Sequence, residues 1–212
     1  MKIAPEGLPF VLPLALAALA GALLIHPWLG VALLVPTLFN YWFFRDPERS
    51  TPVEPDLVIC PADGKVIVAG PGRVSIFMNV FNVHVCRTPI DGTVEEVRHT
   101  PGSFLNAARD EASEQNERAA ILVRDGSREI RFILVAGLIA RRIVCRVKRG
   151  DRLSAGDRVG LIRFGSRVDV DLPEDAEITV VSGQKAVAGE TVIARLAPVG
   201  DPALNKAQAR GA

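Results

Sequence analysis

The ten residues GDRLSAGDRV (150–159) recur in outline as GQKAVAGETV (183–192). In both stretches two glycines stand six residues apart, and the second is followed by a charged residue and then by an apolar run. Glycine adopts positive φ at little cost, so glycines at a fixed interval predict repeated tight turns between short strands. This internal repeat therefore predicts a small β fold that contains two similar turn units.

The segment upstream of the repeat also has a β pattern. Asp63-Gly64, Asp91-Gly92 and Asp125-Gly126 each separate runs rich in β-branched residues, as hairpins and tight turns require. Strands are predicted at 64–70, 73–78, 82–86, 92–97, 120–124, 129–135 and 143–148, and short helices only within 103–117 and 137–142. The repeat resembles the turn units of biotinyl- and lipoyl-type barrel-sandwich folds. We therefore expect a mainly β (α+β), barrel-sandwich-like domain.

The overall composition excludes several classes of protein. Of the 212 residues, 49% are hydrophobic, which excludes a disordered tail or a collagen-like chain. A net charge of +1 gives no general attraction to nucleic acid, so we expect no nucleic-acid partner. The chain has three widely spaced cysteines, Cys60, Cys86 and Cys145, and no CxxC motif. This pattern favours neither a disulfide framework nor a metal site, and it is compatible with a reducing compartment.

The N-terminal segment has no Asp, Glu, Lys or Arg between Gly7 and Phe44. Two apolar runs, 8–25 and 28–44, are separated by His26-Pro27, and proline disfavours helix at the residue before it. Each run approaches the roughly 20 residues that cross a bilayer. These features predict a helical hairpin in the membrane.

The prediction divides the chain into a hairpin at 1–44, a polar linker at 45–55 and a β-rich domain at 56–212. Arg45 and Arg49 at the exit of the hairpin predict that the β-rich domain lies on the cytoplasmic side of the cell membrane. Two alternatives remain open at this point. The apolar run could be a cleaved signal peptide, or the hairpin could insert shallowly without spanning the bilayer.

Gly165-Ser166 is the most specific chemical feature of the chain. The pair lies in LIRFGSRVDVDLP (161–173), and it lacks the G-x-S-x-G pattern of a hydrolase nucleophile elbow. A Gly-Ser pair by itself is usually a turn. Glycine also leaves its carbonyl open to attack by the next hydroxyl, so the pair is compatible with self-cleavage of the chain.

Several further motifs complete a pattern, and with them the chain resembles the phosphatidylserine decarboxylase proenzymes of the short bacterial and archaeal form. The motifs that carry this resemblance are FFRDP (43–47), PADG (61–64), VFNVHV (80–85), PIDG (89–92), PGSF (101–104), NER (116–118) and RFGSRVD (163–169). Their order and spacing make the resemblance specific, and it covers almost the whole chain.

The resemblance implies a pyruvoyl enzyme. Ser166 would attack the Gly165 carbonyl, and the chain would separate into a β chain, 1–165, and an α chain, 166–212, that begins with a pyruvoyl group made from Ser166. Phosphatidylserine would form a Schiff base with this group and lose CO2 to give phosphatidylethanolamine, without pyridoxal phosphate or metal. The cleaved α and β chains would stay paired, and such pairs would form a homo-oligomer.

The resemblance also implies roles for two further residues. His84 takes the family position of the base that activates Ser166, and Asp63 takes that of the carboxylate that orients the histidine. A serine hydroxyl is a weak nucleophile until a neighbouring imidazole accepts its proton. Long-form enzymes of the family have a second histidine three residues before the equivalent of His84, where this chain has Phe81. The proton donor after decarboxylation therefore stays open between His84, another group and water.

A second function also stays open. A membrane-anchored, non-enzymatic barrel-sandwich domain could act as a carrier or binding module and keep Gly165-Ser166 as a simple turn. Carrier domains of this fold have a modified lysine at a hairpin tip, usually next to methionine, and Lys185 lacks that setting. The presence of Asp63, His84 and Ser166 together in matching motifs favours the decarboxylase.

Overall fold

The structure is a computed structural model that describes residues 2–103, 115–137, 142–163 and 166–197. Its helices lie at the N-terminus, and the rest of the described chain is mainly β, with a sheet that curls into a half-barrel. The predicted fold class is thereby confirmed. Gly165 and most of the predicted helices at 103–117 and 137–142 lie outside the described residues.

Two apolar helices form the N-terminal segment. They are α1, Leu8–Leu24, and α2, Pro27–Phe43. Pro27 occupies the first position of α2, where its missing N–H costs no hydrogen bond. The His26 Nδ1 accepts a hydrogen bond from the Trp28 N–H at 3.3 Å, so the break predicted at His26-Pro27 is a capped helix start.

The two helices pack closely and expose apolar faces. A Cβ on Gly30 would lie 2.4 Å from the Ala22 Cβ, so the close approach of the helices requires glycine there. Pro5–Leu24 is long and apolar enough to cross a membrane, by length and composition. The exposed apolar side chains nearest the turn are Leu23, Leu24, Ile25 and Trp28. Each helix of 17 residues is about 25 Å long, slightly less than the roughly 30 Å hydrocarbon core of a bilayer.

The β-rich part consists of short strands. The described strands are β1 Lys2–Ile3, β2 Arg45–Asp46, β3 Leu57–Ile59, β4 Gly64–Gly70, β5 Arg73–Met78, β6 Val85–Arg87, β7 Gly92–Thr100, β8 Arg118–Asp125, β9 Arg128–Ala136, β10 Ile143–Cys145, β11 Arg152–Leu153, β12 Arg158–Ile162, β13 Ser166–Asp171, β14 Glu177–Ile178, β15 Lys185–Ala186 and β16 Val192–Arg195. The strands predicted at 64–70 and 73–78 are confirmed with these bounds.

Antiparallel pairing joins these strands into four sheets. The largest has eight strands in the order β11-β7-β8-β9-β13-β5-β4-β15, and two three-stranded sheets have the orders β10-β12-β6 and β14-β16-β3. Alternate side chains point into the core, as in β8, where Ala119, Ile121 and Val123 are buried. The fourth sheet pairs β1 with β2 and so joins the chain before α1 to the chain after α2.

The P-x-D-G motifs at 61–64 and 89–92 occupy equivalent positions in two related halves of the domain. The Ile59 N–H donates to the Pro89 carbonyl at 2.8 Å, and the Arg87 N–H donates to the Pro61 carbonyl at 2.9 Å. Each motif therefore receives a hydrogen bond from the strand that leads into the other. These reciprocal hydrogen bonds indicate that the two motifs are related by a local two-fold axis. The sequence repeat at 150–159 and 183–192 extends this relation to the two turn units.

The glycines of the repeat have the backbone conformation that the pattern predicts. Their φ angles are all positive, at 91° for Gly150, 84° for Gly156, 94° for Gly183 and 76° for Gly189. The second glycine of each unit donates a 2.9 Å hydrogen bond toward a P-x-D-G motif, Gly156 to the Thr88 carbonyl and Gly189 to the Cys60 carbonyl. The two turn units therefore hold equivalent places in the fold.

The strand predicted at 82–86 is wrong over its first half, because asparagine side chains turn the backbone there. The Phe81 N–H donates to the Asn79 Oδ1 at 2.8 Å, and the Asn79 N–H donates to the Asn82 Oδ1 at 2.9 Å. These side chains replace the ladder partners that a strand would need. Strand β6 consequently begins only at Val85, and His84 lies in the preceding loop.

Candidate active site

Ser166 is the first residue of β13 and is fully buried. It pairs with Met78 of β5 on one side and with Ala136 of β9 on the other. Its Oγ lies 3.2 Å from the Met78 Sδ. The structure therefore places the serine that follows Gly165 inside the domain, on a strand held by neighbours at both edges.

The residues that follow Ser166 form a buried polar group on the opposite side of β13. The Arg167 guanidinium donates to the Asp169 carboxylate at 2.5 Å and to the Ser75 Oγ at 3.0 Å, and all three residues are buried. A buried charge is tolerated when it is paired and hydrogen-bonded. This group orients β13 and with it the position of Ser166.

His84 lies in the loop before β6, and its imidazole is oriented by the backbone. Its Nδ1 is 3.0 Å from the Asn82 carbonyl oxygen. Because a carbonyl oxygen only accepts, Nδ1 carries the proton in the neutral ring and Nε2 is the basic nitrogen. The ring packs against Phe43 of α2, with 4.5 Å between the ring centroids.

Burial keeps the His84 imidazole neutral. Desolvation lowers the pKa of His84 to about 4; the hydrogen bond to the Asn82 carbonyl opposes this shift, and the charge of Arg45 adds to it. A histidine with this pKa is uncharged at neutral pH and can accept a proton. The imidazole is therefore in the protonation state that a general base needs, although its basicity is lowered by burial.

The backbone brings His84 to the segment that leads to Ser166. β6 pairs with β12, and the Ile162 N–H donates to the His84 carbonyl at 3.2 Å. Ser166 follows Ile162 by four residues. The loop of His84 is therefore hydrogen-bonded to the strand that ends four residues before Ser166.

Asp63 is held by partners other than the histidine. Its Oδ1 accepts from the Ala188 N–H at 2.8 Å, and its two carboxylate oxygens accept from the Arg49 Nη2 at 3.0 and 2.8 Å. The equivalent residue of the other half, Asp91, accepts from the Ala155 N–H at 2.9 Å. The backbone contact is therefore a shared turn feature, whereas Arg49 pairs with Asp63 and, at 3.9 Å, with Glu190 but not with Asp91 among the described residues.

The root of the helical hairpin packs directly on the loop of His84. Phe43 and Phe44 are fully buried in a cluster with Val83, Val85 and Leu161. This cluster excludes water from one side of the candidate site. Any displacement of the hairpin relative to the β-rich part would therefore change the packing around the His84 imidazole.

An aromatic and cationic surface continues from this root. The Arg45 guanidinium lies 3.9 Å from the centroid of the Trp42 ring and donates to the carbonyls of Trp42 and Phe81. Phe81 is 66% exposed, and its ring centroid is 6.1 Å from that of Trp42. Arginine, tryptophan and phenylalanine in this arrangement suit a membrane–water interface.

The sequence analysis assigned no role at the candidate site to three residues that surround it. Arg49 pairs with Asp63, Asn82 orients His84, and Phe43 packs on the imidazole. The Asn-x-x-Asn spacing at 79–82 is a turn signal that could have indicated the loop. Within the part of the chain that the structure describes, no group of three or more His, Cys, Asp or Glu could hold a metal ion.

Comparison with known proteins identifies the family. The family whose sequence model matches, over residues 37–194, is phosphatidylserine decarboxylase. A phosphatidylserine decarboxylase proenzyme of Syntrophus aciditrophicus is 50% identical over 203 residues, covering 89% of this chain and 95% of that protein. A proenzyme of the same name from Solidesulfovibrio magneticus is 48% identical over 207 residues, covering 92% of this chain and 96% of that protein. The resemblance drawn from the motifs is confirmed, and the chain belongs to the phosphatidylserine decarboxylase family.

Proposed function

We propose that this chain is a self-processing, pyruvoyl-dependent decarboxylase that converts phosphatidylserine into phosphatidylethanolamine and CO2. The observation that carries the proposal is the burial of Ser166 at the start of β13, directly after Gly165, in a member of this family. The two relatives described above are named proenzymes, and a proenzyme is a precursor activated by processing. The reaction and the residue that is processed are therefore proposed together.

Cleavage begins when the Ser166 Oγ attacks the Gly165 carbonyl carbon while His84 accepts the hydroxyl proton. An ester replaces the peptide bond, and the proton passes to the freed amine. β-Elimination then breaks the bond between Cβ and the ester oxygen: a base takes the Cα proton, and the carboxylate of residue 165 leaves with the bonding electrons. The resulting dehydroalanine tautomerises to an imine, and water releases ammonia and leaves a ketone at residue 166.

Asp63 supports His84 through charge in this proposal. The imidazole becomes cationic while it holds the serine proton, and the positive charge of Arg45 disfavours that state. The Asp63 carboxylate offsets this charge, since it acts electrostatically on Arg45 and pairs with Arg49. The Asn82 carbonyl already orients the imidazole. We therefore propose that Asp63, whose family position implies an orienting role, stabilises the charged imidazole electrostatically instead.

The surroundings of Ser166 fit a pyruvoyl group. Met78 contacts its Oγ, Ala136 is its neighbour in β9, and the residue is fully buried. A new chain terminus carrying an ammonium group would be costly to bury there, whereas the uncharged pyruvoyl terminus is not. When formed, this group supplies the ketone that binds the substrate amine and takes up the electrons released as CO2 leaves.

The helical hairpin connects this chemistry with a bilayer substrate. We propose that it inserts into the cell membrane with the β-rich domain on the cytoplasmic side, as the arginines after α2 favour. The root of the hairpin would then lie at headgroup depth beside His84. The cleaved chains would stay paired, because β13 is hydrogen-bonded to strands of the larger chain on both edges, and we propose that these pairs form a homo-oligomer.

Intact-mass spectrometry of the full-length protein purified in detergent tests the proposed function. We expect two chains that meet between Gly165 and Ser166, with the smaller chain lighter by one ammonia than a serine terminus would make it. Decarboxylation of phosphatidylserine should accompany this product. A single chain of full mass that persists in the presence of membrane lipid would contradict the proposal and favour a non-enzymatic carrier or binding module.

Replacing Asp63 with asparagine should slow self-cleavage by roughly 10- to 100-fold, which corresponds to about 1.4–2.8 kcal/mol of activation free energy. The asparagine oxygen can still accept from the Ala188 N–H, but the carboxylate 2.8 Å from Arg49 loses its charge, and Glu190 stays 3.9 Å away. The fraction of cleaved chain is measured over time after expression in a cell-free system.

The two-fold related position provides the matched control for this variant. Asp91→Asn makes the same change at the equivalent turn, which has the backbone contact to Ala155 but lies in the other half of the domain. We expect its cleavage rate to stay within about twofold of the unmodified protein. Equal slowing by both variants would show that Asp63 acts only through the turn and would contradict its electrostatic role.

A further inference from the structure

Arg163 presents a guanidinium group that lacks a hydrogen-bonded counter-ion in the described part of the chain. It follows β12 directly, and its Cζ lies 5.1 Å from the centroid of the Phe10 ring of α1. Its Nε is buried and has no hydrogen-bond partner among the described residues. Buried donors in native proteins are nearly always satisfied, so the described residues leave this guanidinium without the acceptor that its burial would normally require.

The neighbouring acidic group does not fill this role. Glu6 is the carboxylate that interacts electrostatically with Arg163, but its two oxygens accept from the Arg146 guanidinium at 2.8 and 2.5 Å. Arg45 differs from Arg163 as well, because two carbonyl oxygens accept its hydrogen bonds. Among these three arginines of the hairpin root, Arg163 is thus the one whose guanidinium the described residues leave available for an anion.

The position of Arg163 relates this guanidinium to both the membrane and the cleavage site. Phe10 lies in the first turn of α1, at the root of the hairpin, so insertion of the hairpin would bring the guanidinium to the depth of lipid headgroups. Ser166 follows three residues later, which limits the separation of the two Cα atoms to about 11 Å. A lipid whose headgroup reaches residue 166 therefore has its phosphate within range of Arg163.

We propose that Arg163 binds the phosphodiester of the phospholipid substrate, an inference that rests on the proposed function. The planar guanidinium matches two oxygens of a phosphodiester. The substrate carboxylate is a poor partner, because it loses its charge as CO2 leaves, and a cation paired with it would stabilise the ground state more than the transition state. The phosphodiester keeps its charge throughout, so its binding lowers KM without raising the barrier.

Kinetics of Arg163→Gln with short-chain phosphatidylserine in mixed detergent micelles test the proposal. We expect KM to rise about tenfold while kcat changes by less than about threefold, and Arg163→Lys to give an intermediate KM. Dihexanoylphosphatidylglycerol has the phosphodiester but neither the amine nor the carboxylate, and its competitive inhibition should weaken by a similar factor. The control Arg131→Gln removes an exposed arginine of β9 and should leave KM and inhibition unchanged.

Two outcomes would overturn the proposal. If Arg163→Gln lowers the yield or stability of the two-chain protein but leaves KM and inhibition unchanged, the guanidinium serves the new carboxylate of residue 165 and not the lipid. Unchanged behaviour in every assay would exclude an anion site at Arg163. The binding of dihexanoylphosphatidylglycerol to the uncleaved Ser166→Ala protein, followed by tryptophan fluorescence, tests the site even if the proposed decarboxylase activity fails, and it should weaken in the double variant with Arg163→Gln.

Discussion

Ser166→Ala is expected to remain one chain of full length and to lose decarboxylase activity completely, a fall of more than about 10⁴ if any residual rate is measurable. Alanine has no oxygen to attack the Gly165 carbonyl, so neither the ester nor the ketone at residue 166 can form. The change removes a single atom that contacts Met78 in the core, and the fold should therefore be kept. Intact mass and phosphatidylethanolamine formation in micelles measure the two effects.

A cysteine at the same position distinguishes chemistry from packing. Ser166→Cys keeps a nucleophile that can make the same acyl shift, so we expect slow but detectable cleavage. Ser182→Ala serves as the control, since Ser182 is exposed and its Oγ donates to the Ile67 carbonyl away from β13. Decarboxylation by uncleaved Ser166→Ala would refute the pyruvoyl mechanism.

His84→Gln should slow self-cleavage by about 10²- to 10⁴-fold, the usual contribution of a general base. The glutamine amide can still donate to the Asn82 carbonyl, but it cannot accept the serine proton. The exposed His99, which pairs with Glu117, provides the control variant His99→Gln, for which we expect an unchanged rate. Thermal unfolding of both variants separates lost chemistry from lost stability.

The pH dependence of cleavage gives a second measurement on His84. Because burial holds its pKa at about 4, the imidazole stays neutral, and the cleavage rate should be flat down to about pH 5 and fall below that as the base becomes protonated. The unfolded chain binds this proton nearer pH 6.5, so the contribution of His84 to stability is complete above that pH. It is lost between pH 6.5 and 4 at about 1.4 kcal/mol per pH unit. A cleavage midpoint near pH 7, or rapid cleavage of His84→Gln, would contradict the assignment.

The parts of the fold that sequence predicts well are those decided by local chemistry. Strands β4 and β5 follow from dense β-branched residues bounded by glycine-containing turns, and their bounds are as predicted. The repeat glycines likewise have positive φ because no other residue adopts it as cheaply. The reciprocal hydrogen bonds of the P-x-D-G motifs join residues far apart in sequence, and no local pattern indicates them.

The candidate site likewise combines residues that the local sequence reveals with contacts that only the tertiary structure reveals. Ser166 could be found because a Gly-Ser pair in this motif is itself a chemical signal, whereas the partners of His84 and Asp63 depend on tertiary structure. The pattern of alternating apolar residues around His84 predicts a strand, but Asn79 and Asn82 satisfy the backbone locally and turn it into a loop. Arg49 reaches Asp63 from the segment predicted as a linker, and composition alone does not reveal such a contact.

The central position of β13 in the sheet constrains the order in which the chain folds and is cleaved. Six residues of β13 pair with β5 on one edge and with β9 on the other, while β15 and β16 pair with β4 and β3. Strands from the two sides of the proposed cut are thus interleaved, and the eight-stranded sheet is complete only when both pieces are present. Cleavage would therefore depend on completed folding. Only a molecule in which the strands after residue 165 have already joined the sheet of residues 1–165 could form its own catalytic group.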